Sequence, residues 1–212
     1  MIFETRPASS EPAAGTLVLF HGRATDEHDL QPVIDALDPE GRLVALTPRG
    51  PFTMPPGGFH WYGPVVRVGY PNRETFEQSF AVLSDWLDAE VPAIDRAVLG
   101  GFSQGAVMAY ALGLGAGRPS PAGILAMSGF VPVVDGFSLE LDSRRGLPVA
   151  IAHGIQDPVI PVPFGRNARD RLGAAGLDVS YRESPVGHGV DPRGIDELRA
   201  WLQRTLPARA AA

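Results

Sequence analysis

Short apolar runs alternate along this chain with longer segments whose apolar residues recur every three or four positions, and the alternation predicts strands and helices in turn. The runs at 16–20, 43–47, 97–99, 122–127 and 149–152 are brief and nearly free of polar residues, as strands covered on both faces of a parallel sheet must be. Residues 2–6 are read as an edge strand and residues 178–183 as a further strand. Helical spacing is clearest over 73–90, where Phe76, Phe80, Leu83, Leu87 and Val91 form one stripe, the mark of a helix packed on a core. Residues 29–37, 163–176 and 192–205 also read as helices, the first capped by Asp29 or a neighbour. The stretch Ala106–Leu112 is apolar on every side, which predicts a helix buried beside the sheet.

Strand and helix in succession give an α/β class with a mostly parallel sheet. Between elements, residues 7–15 are rich in Pro, Ser, Ala and Gly and read as a loop. Residues 48–71 hold so many prolines and glycines that they read as one long irregular loop, a length often tied to function. No repeat, linker or composition break divides the chain, so one domain over 1–212 is expected, with the tail 208–212 frayed.

Composition narrows the classes. A formal net charge of −6 argues against a nucleic-acid partner and leaves no basic patch for anionic lipid. The absence of cysteine removes disulfides, thiolate chemistry and cysteine-based metal sites, in keeping with a reducing cytoplasm, where the protein is expected. Met1–Pro7 is too short and polar for a signal segment, and no apolar run approaches membrane-spanning length. The sequence leaves the oligomeric state open, a homodimer included.

The densest chemical signal is Gly101-Phe102-Ser103-Gln104-Gly105, a G-x-S-x-G motif between the run at 97–99 and the apolar helix. The bare motif arises by chance in a chain with 25 glycines, but its strand–turn–helix setting is that of a nucleophile elbow. There a serine sits at strained backbone angles with its hydroxyl at the carboxyl edge of the sheet, and a helix N-terminus faces the site of developing negative charge. A nucleophilic serine needs a base and the base an orienting carboxylate, in the chain order Ser, Asp or Glu, His. Only His153 and His188 follow Ser103. His153 precedes Asp157 and reads as a strand-end histidine bonding locally, which leaves His188, in a loop between glycines, as the base. Among the intervening aspartates, Asp157 alone is placed at a strand's carboxyl end, whereas Asp135 and Asp142 fall in a polar loop and Asp170 and Asp178 in or just after a helix pattern.

The tetrahedral intermediate of acyl transfer needs two backbone N–H donors. One is expected from Gln104, the residue after the serine, and the other from Arg23, in the His21-Gly22-Arg23-Ala24-Thr25 loop after the run at 16–20. The Arg23 guanidinium is either solvated or available to a substrate carboxylate. The connection from Ser128 to Pro148 is too short for a large cap, so an open, shallow site is expected. Phe59 or Trp61, with Phe130, is the expected lining of an acyl or alcohol pocket; the same aromatics would alternatively pin the long loop to the core.

These residues resemble the phospholipase/carboxylesterase branch of the α/β-hydrolases, which includes acyl-protein thioesterase-like enzymes. The resemblance rests on Leu19-Phe20-His21-Gly22, Gly100–Gly105, His153–Pro161 and Gly187-His188 with Leu198–Leu202, and spans nearly the whole chain. It implies an α/β-hydrolase fold with helices on both faces of the sheet and no large cap domain. It also implies Ser103, Asp157 and His188 as the triad, Arg23 and Gln104 amides as oxyanion donors, and no metal or organic cofactor. Family members usually carry a second glycine in the oxyanion loop, where this chain has Ala24, and thioesterase-like members carry an apolar residue where it has Arg23. The implied activity is a carboxylesterase acting on small-molecule esters of short to medium acyl chain, with a bacterial-type small-ester hydrolase the closer relative. Thioesterase or lysophospholipase-type action on longer chains, and a catalytically silent binding scaffold, stand as alternatives. A dienelactone-type reaction is disfavoured, since its usual cysteine nucleophile is absent.

Overall fold

The structure is a computed structural model and describes residues 1–63 and 67–208. Seven strands form one twisted sheet with helices on both sides. In chain order the elements begin with β1 (Phe3–Arg6), β2 (Gly15–Phe20), α1 (Gln31–Leu37) and β3 (Leu43–Pro48). A two-stranded hairpin follows, β4 (Phe52–Thr53) and β5 (Phe59–His60). Then come α2 (Arg73–Glu90), β6 (Ala97–Phe102), α3 (Gln104–Leu114), β7 (Gly123–Met127) and β8 (Pro148–Gly154). The chain closes with α4 (Pro163–Ala174), β9 (Asp178–Ser184) and α5 (Ile195–Thr205). The order across the sheet is β1-β3-β2-β6-β7-β8-β9, with β1 antiparallel to β3 and every other pair parallel.

Alternation within the central strands sorts two cores. Leu17 and Leu19 of β2 point to the side covered by α1 and α5, whereas Val18 and Phe20 point to the side covered by α2, α3 and α4. The expected stripe on α2 is buried at Phe76, Leu83 and Leu87, with Asn72 capping the helix by accepting the Thr75 amide at 3.1 Å. Every residue of α3 is buried, so its all-round apolar sequence reflects a helix enclosed by sheet, α2 and the loops above.

Several boundaries differ from the sequence expectation, each for a local reason. α1 starts at Gln31, its N-cap Leu30 makes no side-chain bond, and Asp29 instead accepts from Thr25 Oγ1 at 3.1 Å. The strand at 97–99 continues through Gly100 and Gly101 to Phe102, because β2 pairs with it to Gly101 and β7 to Phe102. Residues 192–205 open as a 3-10 turn at Pro192–Gly194 before α5 begins. The long loop contains the β4–β5 hairpin, whose two-residue strands are too short for a periodicity signal. Its residues 64–66, and 209–212 of the tail expected to fray, lie outside the described residues. The connection after Ser128 is not a cap: it lies against α2, with the Phe137 ring edge-on to Phe76 and Phe80 at 5.1 and 5.0 Å between centroids. Among the described residues no helix is long and apolar enough to cross a membrane.

One buried carboxylate ties the antiparallel edge to the body. Asp38, 1% exposed, accepts from Arg6 Nη2 at 2.5 Å and from the amides of Arg42 and Leu43 at 3.0 Å each. Truncating it leaves two amides without their acceptor and strips Arg6 Nη2 of its carboxylate, while Nη1 keeps the Asp38 carbonyl. Asp38→Ala is expected to lower the unfolding free energy by about 3 kcal/mol in urea titration, the range for breaking a buried pair. Asp35→Ala, which removes an exposed partner 3.4 Å from the same arginine, should cost under about 1 kcal/mol.

Candidate active site

The turn from β6 into α3 is the tightest part of the molecule. Ser103 sits at φ 56° and ψ −118°, a region L-residues rarely occupy. A Cβ on Gly101 would stand 2.6 Å from the Phe20 carbonyl oxygen, and one on Gly105 would overlap that same oxygen. Only glycine at these two places lets α3 approach β2 closely enough to hold the serine over the sheet edge.

Two loops from the far strands meet it there. His188, on the loop after β9, has Nε2 2.9 Å from Ser103 Oγ and Nδ1 2.7 Å from Asp157 Oδ2. Asp157, on the loop after β8, has a fully buried side chain whose other oxygen, Oδ1, accepts the amides of Val159 and Ile160 at 2.8 Å each. A carboxylate accepts, so His188 Nδ1 is the donor to Asp157 and Nε2 is left to accept a hydrogen bond from the serine hydroxyl. The Phe102 ring packs against the imidazole, 4.8 Å between centroids. His153 lies beneath, fully buried, and its Nε2 donates to the Ile160 carbonyl at 2.8 Å, closing the loop that carries Asp157.

The loop after β2 is clamped from several sides. The buried His21 ring bonds the Gly22 carbonyl through Nδ1 at 2.6 Å and accepts the Gly50 amide on Nε2 at 2.9 Å. Burial pushes the His21 pKa below the ordinary imidazole value. The Ala24 amide donates to the Phe59 carbonyl at 2.8 Å, and the Phe59 amide to the Thr25 carbonyl at 2.7 Å. Ala24 itself has φ 68°, a left-handed conformation that explains why a glycine suits this position. Among the described residues the Arg23 amide donates to no acceptor, and Gln104 supplies the first amide of α3, which has no intrahelical partner.

Beside Ser103 lies a cavity of about 490 Å³, reached by Gly22, Arg23, Gln104, Phe130 and His188 among others. Phe130 is among the residues of the wall. Phe59 and Trp61 are not, and the expectation for them is corrected. Trp61 is fully buried because its indole N–H finds an acceptor in the His21 carbonyl, at 2.8 Å, under the loop rather than in the pocket. Phe59 lies on the other side, beneath the Arg49 guanidinium at 4.5 Å from its ring centroid. Both aromatics buttress the loop, and Tyr62, Val68, Arg67, Val159 and Ile160 complete the cavity wall instead. The Gln104 side chain joins the two levels, accepting the Trp61 amide at 3.1 Å and donating to the Tyr62 carbonyl at 2.8 Å. A run of four aromatics at 59–62 signals a packed loop, but without periodicity it does not say which ring faces the cavity.

Among the described residues, Glu4, Glu27 and His28 bring ligand atoms within 4.8 Å of one another. Both Glu27 oxygens are already engaged by Arg49, which leaves the group poorly suited to a cation.

Strand order, elbow and the residues gathered at the sheet edge define an α/β-hydrolase fold. The chain matches the Phospholipase/Carboxylesterase family over residues 6–206 and belongs to that family. It is 34% identical over 119 residues to acyl-protein thioesterase 1 of Gibberella zeae, a match covering 54% of this chain and 50% of that protein. The chain thus spans about half the length of the curated relatives it matches. Among solved structures it is similar to a Bacillus cereus carboxylesterase, with TM-score 0.81, 20% identity, and 96% and 93% of the two chains covered. It is similar also to a Mesorhizobium loti carboxylesterase, with TM-score 0.81, 22% identity, and 94% and 93% covered.

The His21 clamp has a pH signature. Below 6.5 the unfolded chain takes up a proton at this position while the native ring, with its depressed pKa, stays neutral. The unfolded state then binds more protons, so stability is full above 6.5 and falls as the pH drops below it. Thermal unfolding followed from pH 8 to pH 5 should show a declining Tm with a shallower decline in His21→Asn. Parallel curves for the two proteins would remove His21 from this account.

Proposed function

We propose that this protein is a serine carboxylesterase acting through Ser103, His188 and Asp157. The observation that carries the reading is the unbroken hydrogen-bonded series from Ser103 Oγ through both ring nitrogens of His188 to Asp157, at the mouth of a mainly apolar cavity. His188 Nε2 removes the hydroxyl proton as Oγ attacks the ester carbonyl carbon. Asp157 holds the imidazole in the required tautomer and stabilises the imidazolium. The carbonyl oxygen gains the negative charge and is met by the Arg23 and Gln104 amides, with the α3 N-terminus behind the latter. The C–O bond breaks, the alcohol leaves with the proton from His188, and an acyl-enzyme remains. Water, deprotonated by the same imidazole, attacks the acyl carbon, and the acid departs as the proton returns to Ser103. The chemistry requires no metal or organic cofactor.

The cavity volume, near the small end of the range for ligand sites, supports short to medium acyl chains. A second reading, hydrolysis of thioesters or of longer acyl chains, is favoured by the curated relatives, which are named acyl-protein thioesterase 1. One substrate series separates the two. Turnover of 4-nitrophenyl esters from acetate to palmitate should peak at short chains, and Ser103→Ala should lower kcat about 10⁴-fold or more with an unchanged circular dichroism spectrum. A maximum at the long end, or faster cleavage of the matched thioester, would favour the second reading. Wild-type rates in Ser103→Ala would end both.

A further inference from the structure

The cavity beside Ser103 carries charge of the sign opposite to the chain as a whole. The protein bears a formal −6, yet two arginines, Arg23 and Arg67, are among the residues that line this one pocket, against a single acidic residue, Asp29. They arrive on separate loops, Arg23 after β2 and Arg67 after the β4–β5 hairpin. Among the described residues neither Arg23 nor Arg67 forms an ion pair, whereas ten other arginines do; Arg96, Arg144, Arg145, Arg171 and Arg204 share the unpaired state but lie away from this cavity. The Arg67 guanidinium lies over the Tyr70 ring at 4.4 Å, a contact that leaves its charge unneutralised. Asp29, for its part, accepts from Thr25 Oγ1.

We infer that the pocket selects esters that carry a free carboxylate at the far end of the acyl chain. The inference rests on the esterase reading above and names its substrate class. A guanidinium matches a carboxylate with two parallel N–H···O bonds. Val68, Phe130 and Tyr62 supply that wall for the methylene chain between the two ends. Asp29 in the same cavity repels a second negative charge, so a monoanionic carboxylate suits the site better than a dianionic phosphate.

The experiment compares mono-4-nitrophenyl adipate with 4-nitrophenyl hexanoate, which share acyl length and leaving group and differ in the terminal charge. The wild type should prefer the adipate by about tenfold or more in kcat/KM, mainly through KM, as charge-assisted pairing allows. The preference should shrink as salt is added. In Arg67→Gln and in Arg23→Gln, which keeps its main-chain amide, the adipate-to-hexanoate ratio should fall about fivefold or more. A parallel titration of Ser103→Ala protein with adipamic acid and with hexanamide reads binding without turnover, and adipamic acid should bind more tightly. Cleavage of both esters without preference, or a preference that survives both arginine substitutions, overturns the inference and leaves the esterase intact. No cleavage of either ester, with adipamic acid still bound selectively, overturns the esterase reading and keeps the anion pocket. Neither cleavage nor selective binding removes both.

Discussion

The approach of α3 to β2 at the Ser103 turn is the contact on which the rest of the structure hangs. It forces glycine at 101 and 105 and holds Ser103 in a sparsely populated backbone conformation. It also places the first amide of α3 beside the serine, and it lets the Gln104 side chain reach up into the loop above. The strain is sustained because the surroundings over-determine it. β6 is paired on both sides, the Ser103 amide donates to the Met127 carbonyl at 2.9 Å, and all of α3 is buried.

Around that fixed point, three loops are each held by a buried ring or carboxylate acting on backbone atoms. His21 binds the loop after β2 to residue 50, and His153 closes the loop after β8 by gripping the Ile160 carbonyl. Asp157 folds the same loop onto itself through two amides while facing His188. Breaking such buried bonds leaves unpaired polar atoms away from water, so each bond favours the one loop geometry that keeps it. The long loop contributes Trp61 as a pillar under the β2 loop, which ties the Pro/Gly-rich segment to the site from below.

Much of this was legible from the chain because two strong signals coincided. Apolar runs of the right length gave the strands, and the glycine-framed Ser103, with one later aspartate at a strand end and one later histidine in a loop, gave the residues that meet in space. The stripe on α2 predicted its limits closely, since packing and capping by Asn72 agree there. Legibility failed where tertiary contacts replace local preference. Asp29 reads as a helix cap but turns to Thr25, because residues 25–30 are held by the loop before them. Trp61 reads as a pocket ring but is drawn inward by the need of its N–H for an acceptor, while its neighbour Tyr62 reaches the cavity. Arg23 drew notice from its motif, whereas Arg67 sits in a segment with no motif, and nothing in the sequence brings the two together.

The cavity wall is built in large part from the struts themselves. Tyr62 takes the Gln104 amide on its carbonyl, Val159 and Ile160 hold Asp157, and Phe102 backs His188. At Tyr62, Val159 and Ile160 the bonds run through the backbone, so a change of side chain there acts on the fit while bearing on the segment that holds the site. Arg67, Val68 and Phe130 border the same space without holding any of those atoms. Under selection for a new substrate, lineages of this scaffold have a narrow set of free dials, and divergence in specificity should be concentrated on the segment after the β4–β5 hairpin and at the end of β7. The remainder of the pocket is bound to evolve in step with the reaction it surrounds.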